Sequence, residues 1–270
     1  MDGMETCSGL AHLWNARPGW SSAPLDQLDP RIVVALVDPA RDASAAWRSD
    51  LEAIEYEQFH ARGFVTDIDE HRSIYDPVLS RTHWAAVGWA PTGQVLSVCR
   101  MMRSSPTVLL PVLAALEEGC MRIDDIPALV DARNDAGSAI EATLATVPKD
   151  RRPRELSRPT ELCHGLFMAF ASMSGCRWIL SAVDPGALDR SHRHAAAGAM
   201  LETVGGGQDT AGVESLVVVV GVDQVLDAVA GDVDSPMALA MRVGRELALD
   251  QVLAAGAMQF ATATTTPNAG

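Results

Sequence analysis

The chain has 270 residues, 48% of them hydrophobic and 21% charged, enough apolar material for one large domain or two small ones with a core, and too much for a disordered chain. Its net charge of -14 disfavours nonspecific nucleic-acid binding, which needs clustered Lys and Arg against phosphates. Five cysteines, Cys7, Cys99, Cys120, Cys163 and Cys176, are odd in number and lack C-x-x-C spacing, so neither a disulfide framework nor a zinc site is expected and a reducing, cytoplasmic setting fits.

Met1–Leu10 has neither the basic start nor the apolar stretch of a signal peptide. Residues 1–30 carry Pro18, Gly19, Pro24 and Pro30 without a period and read as an irregular lead-in. Arg31–Val37 is a β-branched apolar run and predicts a buried strand. Asp42 or Ser44 can cap the helix that follows, whose apolar face is Trp47, Leu51, Ile54 and Gln58/Phe59. Asp67–Asp76 is polar and reads as a loop. Thr82–Trp89 and Gln94–Met102 flank Pro91-Thr92-Gly93, a hairpin signal. Thr107–Glu118 predicts a helix after Pro106, and Ala136–Ala145 a second helical stretch, giving a helical insert over 107–150.

Arg152–Ser157 reads as a short strand, Glu161–Ser174 as a helix and Trp178–Val183 as a strand. Leu188–Leu201 reads as a helix closed by Gly205-Gly206-Gly207. Ser215–Val222 is apolar enough to be covered on both faces, and the run Leu216–Val222 is too short to span a bilayer. Helices are expected near Asp223–Ala230 and Pro236–Ala255, and 257–270 reads as a disordered, Thr-rich tail. Residues 31–256 thus form one α/β domain, a mixed sheet with helices on both faces.

Three features stand in order along this frame. Tyr75-Asp76 precedes the strand Thr82–Trp89. Arg100 sits in Val98-Cys99-Arg100-Met101-Met102 at the end of the next strand. Glu155-Leu156-Ser157-Arg158 follows later. Over about Val33–Val222 the order resembles that of the acyl-homoserine-lactone (autoinducer) synthases, acyltransferases of the GNAT superfamily. Those enzymes carry an aspartate before a strand, then G-x-x-R-L, then E-L-S-R on the next central strand. The resemblance implies a three-layer αβα sandwich with a mixed, mostly antiparallel sheet. It also implies transfer of an acyl group from a thioester, on acyl carrier protein or CoA, to an amine. The sequence departs from the family at Ser97 and Met101, in place of its glycine and leucine, and at Ser73, where a second acid would stand. The family's early Arg and Phe are not evident in Glu55–His60. An amine acceptor other than S-adenosylmethionine is therefore expected.

Acyl transfer to an amine needs a group to take the ammonium proton, donors for the oxyanion and a leaving thiolate. The resemblance makes Glu155 the candidate base, with Arg158 beside it, and Asp76, Arg100 and Ser157 the substrate-binding set. A structural ion pair accounts equally for the charged members. The segment Ser157–Leu162 lacks the glycine pair of a pyrophosphate loop, and its Glu161 opposes a phosphate there. Just upstream, Lys149, Arg151, Arg152 and Arg154 form the densest basic patch, suited to a carrier protein's acidic face or a donor phosphate. Arg190, His192, Arg193 and His194 form a second cluster, but the two histidines are two residues apart and share no helix face, so no metal is expected. No tightly bound cofactor is expected either: the acyl thioester is a co-substrate, and the partners are a small-molecule amine and, for one donor class, acyl carrier protein. DNA and membrane binding are not expected. The alternatives are an aminoacyl-tRNA-dependent transferase, which would need more positive charge, and a non-catalytic binding module on the same fold.

Overall fold

The apolar run Ile32–Val37 forms β1, buried along nearly its whole length. The computed structural model describes residues 31–37, 45–123, 127–134, 137–154, 159–194, 200–208, 212–231, 235 and 237–245. The lead-in 1–30, the tail 257–270 and the expected helix beyond residue 245 lie outside them. Helix α1 (Ala45–Ala61) follows β1. The hairpin signal at Pro91–Gly93 joins β2 (Thr82–Trp89) to β3 (Gln94–Arg103), with Gly93 at φ 66° in the turn, where a side chain would be strained.

Asp67–Asp76, expected as a loop, contains helix α2 (Ile68–Tyr75). The Asp67 side chain accepts from Glu70 N at 2.8 Å, and Glu70 in turn accepts from Thr66 N. These bonds satisfy N-terminal donors that a polar stretch otherwise leaves open. A 3-10 turn, Asp76–Arg81, leads on to β2. The helix expected over Thr107–Glu118 is shorter, α3 (Pro111–Glu117), starting with proline in its first turn. The short strand β4 (Met121–Ile123) and helix α4 (Pro127–Asn134) complete the excursion.

Ala136–Ala145 is not helical. Its last seven residues belong to β5 (Ala139–Thr146), which pairs antiparallel with β3 from Arg103↔Ile140 to Ser97↔Thr146. Ile140, Ala142 and Leu144 alternate with Glu141 and Thr143, and that period-two pattern on a long ladder overrides the helix propensity of alanine. Of the expected strand Arg152–Ser157, Arg152–Arg154 follows the 3-10 turn Lys149–Arg151 without forming a strand, and the rest lies outside the described residues. Then come α5 (Pro159–Met173), β6 (Trp178–Val183) and α6 (Pro185–His194). Asp184 caps α6, accepting from Ala187 N at 2.8 Å, so this helix starts earlier than expected. It is followed not by a glycine helix end but by strand β7 (Glu202–Gln208), which contains all three glycines. Strand β8 (Glu214–Gly221), α7 (Val222–Ala230) and α8 (residues 237–245) finish the described chain.

The eight strands form one sheet in the order β1-β2-β3-β5-β6-β8-β7-β4. Five of the six strands expected from the sequence lie in it, as β1, β2, β3, β6 and β8. Every described pair is antiparallel except β5 with β6. Helices α1 to α4 cover one face, where Leu51, Tyr75, Leu113 and Leu129 pack over Trp84, Met102 and Leu180. Helices α5, α7 and α8 cover the other, where Leu166, Phe170, Val225 and Met241 pack over Cys99, Met101, Ile140 and Val220. Gly165 and Gly244 let α8 lie against α5, since a Cβ on Gly165 would come within 2.4 Å of Met237 O. Among the described residues no helix is long and apolar enough to cross a membrane.

Candidate active site

Alternation along β3 and β5 turns Arg100, Glu141 and Thr143 toward the face under α1, α2 and α3. Arg100 and Glu55 of α1 are both about 1% exposed or less. The Arg100 guanidinium donates to the Glu55 carboxylate from Nε, at 3.0 Å to Oε2, and from Nη2. It lies 4.0 Å from the ring centroid of Tyr75 and 4.9 Å from that of Trp84, so the cation is held between two aromatic faces. Its Nη1 is buried without a hydrogen-bond partner. Thr143 Oγ1 donates to Glu55 Oε1 at 3.4 Å.

Burial pushes Glu55 above the usual carboxylate range, and Arg100 pulls it back. His71, completely buried with Nε2 3.8 Å from Glu55 Oε2, is pushed down to about 3 by burial and then by Arg100 and Arg72. It is therefore neutral at pH 7. A second ring of charge lies outside this core. Buried Glu52, three residues before Glu55, accepts from Arg48 and from Arg72 Nε at 3.0 Å, and Arg48 Nη2 reaches exposed Asp76 at 2.6 Å.

Glu141 stands apart from both ion-pair groups. It is 3% exposed and accepts a backbone hydrogen bond from Val112 N at the start of α3, at 2.9 Å. Burial raises it to about 8, with the Val112 N–H pulling down, so it gains and loses a proton near neutral pH.

It also marks the place where the sheet opens. The parallel ladder runs Ala139↔Trp178, Ile140↔Ile179, Glu141↔Leu180 and stops. Yet β5 stays on β3 as far as Thr146, and β6 stays on β8 as far as Val183. Beyond Glu141 the two strands diverge into a V. One side-chain bond, Ser181 Oγ to Ala142 O at 2.7 Å, crosses just past the last paired residues. A groove of about 560 Å³ over Thr203, Gly205–Gly207, Gln208 and Glu214–Leu216 lies elsewhere on the sheet and shares no residue with this cluster.

No family model matches the sequence, and no curated protein matches it. Among solved structures, the chain is similar to FeeM, an N-acyl amino acid synthase from uncultured soil microbes. The identity is 9%, the match covers 74% of this chain and 96% of that one, and the TM-score is 0.52. It also matches the AHL synthase LasI at 12% identity, covering 71% and 90%, with a TM-score of 0.46. A GNAT-family acetyltransferase from Streptococcus pneumoniae matches at 9% identity, covering 70% and 98%, with a TM-score of 0.39.

The fold is GNAT-like. In this GNAT-like sheet the central strand beside the opening is β5, and it carries Glu141-Ala142-Thr143-Leu144, an acid followed two positions later by a hydroxyl. Glu155, Ser157 and Arg158, expected on that strand, lie outside the described residues. Asp76 and Arg100 lie in two neighbouring ion-pair groups, Asp76 at the exposed end of the one around Glu52 and Arg100 in the buried pair with Glu55. Of the basic patch, Lys149 and Arg154 are exposed, Arg151 pairs with Glu57 at 2.7 Å, and Arg152 donates to Val147 O.

Glu55 and Glu141 were not foreseen. Glu55 shows itself as a charge inside the apolar stripe of α1, four residues after Leu51. Glu141 shows itself only once Ala139–Thr146 is read with a period of two.

Proposed function

We propose that the chain is an N-acyltransferase that moves an acyl group from a thioester donor, acyl carrier protein or CoA, to the amine of a small amino-acid-like acceptor. One observation carries the reading: the sheet opens between β5 and β6 at Glu141, the last paired residue, whose carboxyl titrates near neutral pH. A thioester seated in the V would bring its carbonyl to the apex, beside that carboxyl. Glu141 then takes the ammonium proton, directly or through water. The amine attacks, an oxyanion forms and collapses, and the thiolate leaves. Alternation aims the peptide groups of Leu144 into the V, which supplies an N–H for the oxyanion.

In this reading Glu141 holds the base role that the resemblance gave to Glu155. Arg100 Nη1, a buried donor without a protein partner, suits the acceptor's carboxylate. Asp76 stays with the acceptor, at the exposed end of the outer ion-pair group around Glu52. Lys149, Arg151, Arg152 and Arg154 directly follow the open end of β5 in sequence and keep the donor role, facing a carrier protein or a phosphate. Arg151→Glu with Arg152→Glu should weaken binding of acyl carrier protein, and more so at low salt, where exposed charges are least screened.

The test is direct. Purified protein is incubated with acyl-CoA and acyl-carrier-protein panels and a set of amino acids and related amines, S-adenosylmethionine included. Free thiol and N-acyl product are measured together. Thiol release that needs a particular amine supports the reading. No thiol release with any pair, from a folded protein, rejects it and leaves the binding module.

A further inference from the structure

Three polar ties run from the C-terminal end of α1 to the two rims of the V. On the β5 side, Gln58 Nε2 donates to Thr146 O, and Glu57 pairs with Arg151 at 2.7 Å. On the β6 side, Arg62, just past α1, pairs with Asp184, the residue that follows β6 and caps α6. Gln58 and Arg62 are four apart and so project on one side of the helical path. The end of α1 therefore bridges the mouth of the opening.

The register of β5 says what Gln58 occupies. Peptide groups alternate sides along a strand. Ala139 O accepts from Ser104 N at 2.8 Å and Val147 N donates to Leu96 O at 2.9 Å, so odd-numbered residues face β3. Ser138 O accepts from Arg177 N at 2.7 Å, so even-numbered residues face β6. Past the end of the ladder, the carbonyls aimed into the V are those of Ala142, Leu144 and Thr146. Ser181 caps the first and Gln58 the last. Among the described residues no side chain caps Leu144. A carboxamide thus sits where the open strand edge would otherwise take the amide of an incoming extended ligand.

We propose that the end of α1 is a strap across the donor opening, and that the Gln58 carboxamide holds the place of an amide of the donor's pantetheine arm. The inference rests on the acyltransferase reading, which supplies a donor with secondary amides. Entry of the arm breaks the Gln58–Thr146 bond, and an arm N–H donates to Thr146 O in its stead. The Arg62–Asp184 and Glu57–Arg151 pairs, which are exposed, loosen and reform as the strap lifts and closes.

Binding is measured calorimetrically with acetyl-CoA, S-acetylpantetheine and an acetylated carrier protein, so that no turnover is needed. Gln58→Ala and Gln58→Glu both remove the competing donor and should tighten all three ligands by about 2–10-fold, the worth of one neutral hydrogen bond. Tightening of acetyl-CoA alone would place the effect outside the arm and overturn the proposal. A cleavable bis-maleimide spacer joining Arg62→Cys to Asp184→Cys should weaken all three ligands at least tenfold when intact, with recovery once the spacer is cut. If wild type binds while the Gln58 variants and the cross-link leave affinity unchanged, the strap is refuted and the acyltransferase reading stands. If no ligand binds to wild type or any variant, both fall together.

Discussion

Replacing Glu141 with glutamine changes one atom and should alter stability and chemistry in opposite senses. The carboxyl is raised from 4.5 to about 8, so between those values the folded chain holds a proton that the unfolded chain has released. More protons bound in the folded state mean that stability falls as pH rises. The stabilisation is fully present below pH 4.5 and is lost as pH rises through 8. Each pH unit inside that window costs up to ~1.4 kcal/mol, so the sum by pH 8 is on the order of 4 kcal/mol, a large part of a typical domain's stability. Glutamine keeps the shape, and its side-chain carbonyl still accepts from Val112 N, but it has no proton to lose. Urea unfolding of both proteins from pH 5 to 9 isolates the effect, because every other titrating group is common to the two. The curves should nearly meet at pH 5 and separate by several kcal/mol at pH 9, with the variant the more stable. Acyl transfer by the same variant should fall by roughly two to four decades near neutral pH, with a smaller loss at high pH, where the acceptor amine is already deprotonated. Parallel stability curves across the whole range would refute the burial argument. Equal activity at every pH would remove Glu141 from the chemistry.

Arg100→Met should destabilise by about 3–5 kcal/mol, because it leaves Glu55 buried without its cation, whereas the double change with Glu55→Leu should cost less than the two single changes added together. Denaturant unfolding of the three proteins measures that coupling, and strict additivity would mean that the pair does not act as a unit. Gly207→Ala should destabilise by about 1–3 kcal/mol, since the new Cβ would stand 2.3 Å from Cys120 O, a backbone atom. A melting temperature equal to wild type would mean that β4 moves aside at no cost.

Five of the strands are legible because their chemistry is local. β1, β2, β3, β6 and β8 are apolar or alternating runs, β2 and β3 with a turn between them; α5 is an amphipathic stretch between strands and α7 one that follows the last described strand. Two of the failures share one cause, a partner distant in the chain. Ala139–Thr146 is rich in a helix former, and only the ladder on β3, made by residues some forty positions away, makes it a strand. Gly205–Gly207 look like a helix end in isolation. They are strand residues because Cys120 and Met121 press against Gly207. The polar run after Asp67 looked unstructured because its stabilising bonds are made by its own side chains rather than by an apolar stripe. Of the charges singled out in the sequence, Arg100 is buried within β3 and Asp76 is exposed at the end of α2, while Glu155, Ser157 and Arg158 lie outside the described residues. Glu141 is hidden in the sequence because the alanines around it read as a helix, and its inward position is set by the ladder on β3.

The excursion between β3 and β5 has a mechanical consequence. The two halves of the sheet share just three ladder pairs, so a load pulling β1 away from β7 would concentrate on that short seam. The chain does not leave the seam to bear it alone. After β3 it travels to the far edge, adds β4 beside β7, and returns as α4 to start β5; along this path α3 touches β4 and β6, and α4 touches β5. This belt fastens both halves from one face. The V can widen at its mouth while the apex stays clamped, and a cut in the belt between α3 and α4 should let the halves part under a force that the intact chain withstands.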